Sequence, residues 1–165
     1  VLTMNSGATA PEWAVAAGGG KVLQVVTATS TTDSGSIANT TPQDTALTAA
    51  ITPAASGNKV LVLVTQTLRV SRDSGDAVGL FALERAVASG STAVCYEANF
   101  SNLGSENSTP IMKYSFSFLD SPSATTAVTY TAQVGVSTTA DSGIARADEQ
   151  TSGTNTSTIT LIEID

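Results

Sequence analysis

Apolar and polar residues alternate with a period of two along most of this chain. The pattern is sharpest over residues 112–136. Met112, Tyr114, Phe116 and Phe118 alternate there with Lys113, Ser115 and Ser117. After a break, Val128, Tyr130, Ala132, Val134 and Val136 alternate with Thr129, Thr131, Gln133 and Gly135. Period two places every second side chain on one face of a strand. The break, residues 119–126, has turn chemistry. Pro122 lacks an amide hydrogen, and Asp120 and Ser121 can hydrogen-bond their own backbone. The two runs are predicted to form a β-hairpin.

The same reading along the chain predicts strands at 21–30, 45–52, 59–70, 77–87 and 92–100. A weak strand follows at 144–149, and a last one at 156–165 carries Ile159, Leu161, Ile162 and Ile164. Polar loops separate them at 31–44, 71–76, 101–110 and 137–143, with tight turns at 54–58 and 88–91. The run at 59–70 is the longest. Val60, Val62, Val64, Leu68 and Val70 form one face, interrupted by Gln66. Leu61 and Leu63 make its first half apolar on the other face too. Such a strand lies centrally or against another subunit. The alternative is cover by the second sheet of the same chain, which would leave a monomer. No ten-residue window has helical spacing with caps. Eight or nine short strands at this spacing predict an all-β fold, an antiparallel β-sandwich that is jelly-roll-like.

Residues 1–20 differ from the rest. They are rich in Gly, Ala and Ser, and the glycines at 18–20 give a linker signal. They are expected to form an extended connector, with residues 21–165 as one domain. The chain begins at Val1 and reads as a fragment or a processed product.

Composition bounds the chemistry. Eight of the 165 residues are aromatic, and about 45 are Ser or Thr. A core of Val, Ala, Leu and Ile buries less area per residue than an aromatic one. Oligomerisation is the expected supplement. The net charge of −7, without a basic patch, disfavours nucleic acid and anionic membranes. There is no histidine, so the commonest general base and metal ligand is missing. The single cysteine, Cys95, excludes an intrachain disulfide and is expected as a buried structural thiol. No apolar run approaches the roughly 18–20 residues of a membrane helix.

Constellations for catalysis are weak. Asp141 with Asp148 and Glu149 could be paired carboxylates for glycoside cleavage, but nothing fixes their spacing. Glu84 and Arg85 with Glu97 are expected as a cross-strand ion pair at the surface or at an interface. The segment 72–76 has only two carboxylates, where a calcium site needs six to eight oxygens. No metal, no cofactor and no enzymatic activity are expected. Binding residues concentrate on loops held by a rigid scaffold. The candidates for ligand contact are Arg72, Asp73 and Asp76 in one long loop, and Asn99, Asn102, Glu106 and Asn107 around the other. Tyr96 and Phe100 could stack on sugars, but they alternate with the inward set and are expected in the core.

Four segments carry a resemblance. The N-terminal VLTMNSGATAPEWA resembles the connector that joins an upstream fibre to the C-terminal head in bacteriophage tail-fibre proteins. ITPAASGNKVLV at 51–62, SFLDSPSATTAVTYTAQV at 117–134 and STITLIEI at 157–164 resemble segments that recur, in this order, in those head domains. Together they touch roughly half of the chain. The resemblance implies a virion protein, extracellular on the tail fibre. It implies a head that binds a bacterial surface receptor, a glycan, for host attachment. It also implies a homotrimer on an upstream shaft. A structural virion protein, such as a capsid decoration or fibre cap without a receptor of its own, is the alternative.

Overall fold

The computed structural model describes residues 2–4, 11–13, 20–102, 111–150 and 155–165. Eleven strands occur in the described residues, with no α-helix among them. Two are short: β1 (Leu2–Met4) pairs antiparallel with β2 (Pro11–Trp13). The other nine build a sandwich. They are β3 (Val22–Ser30), β4 (Gln43–Ile51), β5 (Lys59–Ser71), β6 (Ala77–Val87), β7 (Ser91–Asn102), β8 (Met112–Asp120), β9 (Val128–Val136), β10 (Ile144–Ala147) and β11 (Ser157–Ile164).

Eight of the nine form two four-stranded sheets. Sheet I has the order β3-β11-β5-β8, and sheet II has β4-β9-β6-β7. All neighbours are antiparallel. The pairs β6/β7, β5/β8, β4/β9 and β3/β11 nest around the turn at 88–90. The chain is thus one long hairpin folded over into two sheets, which is jelly-roll connectivity. The turn is tight because Gly90 takes φ 101°, a conformation that side-chain-bearing residues avoid. β10 extends sheet I where β11 ends. β5 pairs with β11 from Lys59 to Thr65, then with β10 from Leu68 to Ser71.

One expectation is overturned. The strands at 112–120 and 128–136 are not a hairpin. β8 pairs with β5 in sheet I, and β9 lies between β4 and β6 in sheet II. The connection at 121–127 crosses from one sheet to the other. Alternation fixes which side chains face inward, and both strands satisfy it by facing each other across the core. Asp120 also differs from its expected role as a turn residue. It closes β8 on the inward face and is buried.

The core lies between the sheets. Leu47, Val60, Val62, Phe81, Leu83, Tyr130, Val134, Ile159 and Leu161 are almost wholly shielded from solvent. Sheet II covers the Val60, Val62, Val64 face of β5. Leu61 and Leu63 therefore point outward on sheet I, and Leu63 keeps 38% of its surface. Cover by the chain's own second sheet does not occur.

Six of the eight aromatic residues gather where edge strands β7 and β8 meet. Phe81 and Phe116 stack with centroids 4.0 Å apart, and Tyr96 packs edgewise on Phe81. Phe100 packs on Tyr114, and Tyr96 on Phe118. Phe100 is buried and Tyr96 partly so, in line with a core role. Gly79 accommodates the Phe100 ring, which a Cβ there would meet at 2.2 Å.

Candidate functional site

Strand directions give the sandwich two poles. Val22, Lys59, Val87, Val128 and Ile164 share one pole, where the backbone N–H of Asp165 donates to the Lys21 carbonyl. The chain enters the sandwich there. The loops after β5 and after β9 lie at the opposite pole, as do the end of β7 and the start of β8.

At this far pole Arg72 is committed to its own surroundings. Its Nη2 donates to Oδ2 of Asp141 at 2.8 Å, and Nε donates to the Ala140 carbonyl at 3.3 Å. Nη1 reaches the Asp76 carbonyl at 3.4 Å. The Asp73 N–H donates to the Asp141 carbonyl at 2.8 Å. Arg72 thus ties the 71–76 loop to the short 3₁₀ turn Ala140–Ser142. Asp141 and Ser142 both take positive φ, 49° and 57°, to present that turn. The carboxylates of Asp73 and Asp76 face solvent. The structure therefore brings Arg72, Asp73 and Asp76 together, with Arg72 holding the loop rather than standing free.

Asn99 lies apart from them, exposed on the outer face of edge strand β7, directly across from Leu80. Asn102 ends β7, opposite Ala77. Glu106 and Asn107 lie outside the described residues. Among the described residues, no group of three carboxylate or thiol side chains is arranged to hold a metal ion.

Most other charged side chains are structural. Glu84, Arg85 and Glu97 do not form a surface group. Period two sends Arg85 to the inner face and the two glutamates outward. Arg85 Nη1 donates to both Asp120 oxygens, at 2.7 and 2.9 Å. The Tyr130 hydroxyl donates to Asp120 Oδ2 at 2.7 Å. Burial and this bond to a carboxylate push the Tyr130 hydroxyl well above its usual range. Cys95 is half-buried rather than fully buried, and its Sγ donates to the Leu83 carbonyl at 3.2 Å. Burial raises the thiol to about 11, so the reactive thiolate is scarce.

Glu163 is fully buried, and among the described residues its hydrogen-bond partners are all uncharged. It accepts from Gln24 Nε2 at 2.5 Å, Asn58 Nδ2 at 2.6 Å and the Ala54 N–H at 2.7 Å. Burial alone would raise its carboxyl, but these donors outweigh that and hold it below the usual range. Asp148 and Glu149 are held in two separate networks. Glu149 is clamped by Arg69 and Arg146, each at 2.7 Å. Asp148 is wholly buried and bonded to Ser157 Oγ, and burial raises its carboxyl. Asp148 and Ser157 fill the gap where β5 changes partners. The Thr67 carbonyl accepts from the Asp148 N–H at 2.9 Å, and the Thr67 N–H donates to Ser157 Oγ at 3.0 Å.

One concave feature was not legible in the sequence. On the outer face of sheet II, Pro42, Leu80, Phe81, Glu97, Ala98 and Asn99 line a cleft of about 260 Å³. Its wall is the 39–42 segment, which crosses the sheet at Gly135. A Cβ on Gly135 would meet the Asn39 carbonyl oxygen at 2.9 Å and Pro42 Cα at 3.1 Å. The Val136 N–H donates to the same Asn39 carbonyl at 2.9 Å and fixes the segment there. In the next row, Gln133 donates to Asp44 at 2.7 Å and to Glu84 at 3.2 Å.

No family model matches the chain, and no curated protein matches it. Among solved structures, the chain is similar to one described as the structure of infectious bursal disease virus, Gx strain. The two are 12% identical with a TM-score of 0.39, over 86% of this chain and 39% of that one.

Proposed function

We propose that this chain is the receptor-binding head of a bacteriophage tail-fibre protein, attaching to a surface glycan of the bacterial host. In this reading it acts in the virion as a homotrimer on an upstream shaft, by binding rather than catalysis, and without a cofactor. The observation that carries the reading is the opposition of the two poles. The segment resembling a fibre connector enters at the Lys21 pole, and the loops bearing Arg72, Asp73 and Asp76 lie at the other. A fibre mounted at the first pole presents the second to a cell. The segments at 51–62, 117–134 and 157–164 support the same reading. They contain Asn58, Asp120, Tyr130 and Glu163, whose hydrogen bonds clamp the sandwich, as a scaffold carrying binding loops requires.

Labelled protein applied to a panel of bacterial strains tests this. Attachment to a subset of strains, removed by enzymatic stripping of their surface polysaccharide, is the expected result. Attachment to none overturns it. The Asp73→Ala/Asp76→Ala pair leaves the Arg72 bonds in place and should weaken attachment without lowering thermal stability. A reducing-sugar release assay should detect no product.

A second reading is a structural virion protein without a receptor of its own. The outward Leu63 and Leu119 of sheet I favour it, because exposed apolar surface suits assembly with a partner. It predicts incorporation into particles with no attachment to any strain.

A further inference from the structure

We propose that the cleft on the outer face of sheet II binds a single uncharged sugar ring, with Glu97 and Asn99 taking its hydroxyls and Leu80 and Pro42 packing on its C–H face. This rests on the reading of the chain as a glycan-binding head, and it names the subsite and the sugar class. The cleft has an apolar floor and wall and a small number of converging polar groups, the usual composition of a small-ligand site. At about 260 Å³ it is below the roughly 300–1,000 Å³ of drug-sized clefts. That leaves room for one ring, not an extended oligomer.

The polar groups suit hydroxyls. Glu97 and Asn99 are two residues apart on β7, so both project from the same outer face, about 6.8 Å apart along the strand. Both are exposed. A carboxylate accepts from hydroxyls, and an amide both donates and accepts. Leu80, directly opposite Asn99, supplies the apolar surface between the β7 side chains and the Pro42 wall. Charge selects against acidic sugars. Glu97 is in the cleft, Asp44 is in the same cross-strand row and Glu84 in the next, and no Lys or Arg among the described residues lines it. The wall exists only because position 135 is glycine, so the cleft is set by the fold rather than by a mobile side chain.

The test is a ¹⁵N–¹H spectral titration of the full chain with glucose, galactose, N-acetylglucosamine and glucuronic acid. One ring with a few hydrogen bonds binds in the millimolar range, so titration runs to about 50 mM. The amides of Leu80, Glu97 and Asn99 should shift with at least one neutral sugar, and at least tenfold more weakly with glucuronate. Glu97→Ala and Asn99→Ala remove exposed side chains from an edge strand and should fold normally. Each should weaken the interaction about fivefold, the effect of one lost hydrogen bond. Gly135→Ala, which displaces the wall, should abolish it. No shift at these amides with any neutral sugar overturns the proposal, as do shifts confined to residues 71–76. Attachment to cells is read separately. If the Glu97→Ala/Asn99→Ala protein attaches to cells as the native one does and the spectra are silent, the cleft is refuted while the head reading stands. If the spectra respond but the protein attaches to no strain, the head reading falls and the cleft stands.

Discussion

The Tyr130 hydroxyl and the Asp120 carboxylate, 2.7 Å apart, join the two sheets of the sandwich from the inside. Tyr130 is on β9 in sheet II, and Asp120 ends β8 in sheet I. Arg85, directly opposite Tyr130 across the β6/β9 pair, completes the group with two bonds to the same carboxylate. Asp120→Ala leaves a guanidinium and a phenol at a largely buried position with no acceptor. Removing one partner of a fully buried pair costs about 3–5 kcal/mol. The Arg85 side chain is 20% exposed and can recover some water, so about 2–3 kcal/mol is expected here. Tyr130→Phe keeps the ion pair and loses one hydrogen bond, about 1 kcal/mol. Urea unfolding of the two variants should therefore rank Asp120→Ala well below Tyr130→Phe. Equal losses would contradict the role of Asp120 as the shared acceptor.

Glu163 makes the protein sensitive to acid. Its folded carboxyl is held below the usual range, so its contribution is present above the unfolded value of about 4.3. That contribution is lost as the pH falls through the folded value. Protonation removes an acceptor from Gln24, Asn58 and Ala54 and frees the turn at 54–58. Melting temperature followed from pH 7 down to pH 3 should fall more steeply for the native protein than for Glu163→Gln. At pH 7 the Gln variant should be less stable by about 1–3 kcal/mol, because its amide cannot accept from all three donors.

Asp148 has the opposite sign. Burial raises its folded carboxyl, so the folded state holds its proton more tightly than the unfolded chain. The resulting stability is fully present below the unfolded value of about 3.9 and is lost as the pH rises through the folded value. Its Oδ2 is buried and has no partner among the described residues. Asp148→Asn removes the ionisable group while keeping the shape and the acceptor for Ser157. It should be more stable than the native protein at pH 7–8, with the difference vanishing near pH 3. A variant that is less stable at every pH would show that the carboxylate itself holds the β10–β11 junction.

How much of this was legible depends on the kind of signal. Alternation located all nine sandwich strands to within two or three residues. It also separated Val60, Val62 and Val64 from Leu61 and Leu63, because period two is a property of the backbone alone. Partner choice is not written in alternation. Hence β8 and β9, adjacent in sequence and alike in pattern, read as a hairpin and lie in different sheets. The buried polar residues were misread for the same reason. Asp120 looks like a turn residue and Asp148 like one member of a carboxylate group with Asp141 and Glu149, since their partners Tyr130, Arg85 and Ser157 come from other strands. The loop that carries Arg72, Asp73 and Asp76 was legible because a polar run between two alternating strands is a local signal. The cleft was missed because its wall needs Gly135 and Asn39 to meet, and nothing in either residue's neighbourhood says so.

The outer face of sheet I carries the last prediction, which concerns assembly. Val25, Ile162, Leu61 and Leu119 are in register across four strands and form an apolar row on the outside of the sheet. Val25 and Leu119 keep 56% and 48% of their surface. The next two rows are Thr27, Thr160, Leu63, Ser117 and Thr29, Thr158, Thr65, Ser115. None of these twelve residues is charged, in a chain with a net charge of −7. Copies carry like net charge, and this grid, with Lys59 and Lys113 beyond its two ends, is where they can meet without juxtaposing like charges. At about 4.8 Å between strands and about 6.8 Å per outward residue, the grid covers roughly 390 Å². A standard interface takes about 800 Å² from each partner, so the grid supplies about half and its rim must supply the rest. Assembly through it should therefore depend on concentration. Sedimentation equilibrium over the micromolar range should show a species near 50 kDa, three chains of 16.6 kDa. Val25→Lys/Leu119→Lys places two cations in the apolar row of each copy and should give 16.6 kDa at every concentration, with the far-ultraviolet spectrum unchanged. A single species at the monomer mass for the native protein would remove the trimer. A trimer that survives the two lysines would move the interface to another face.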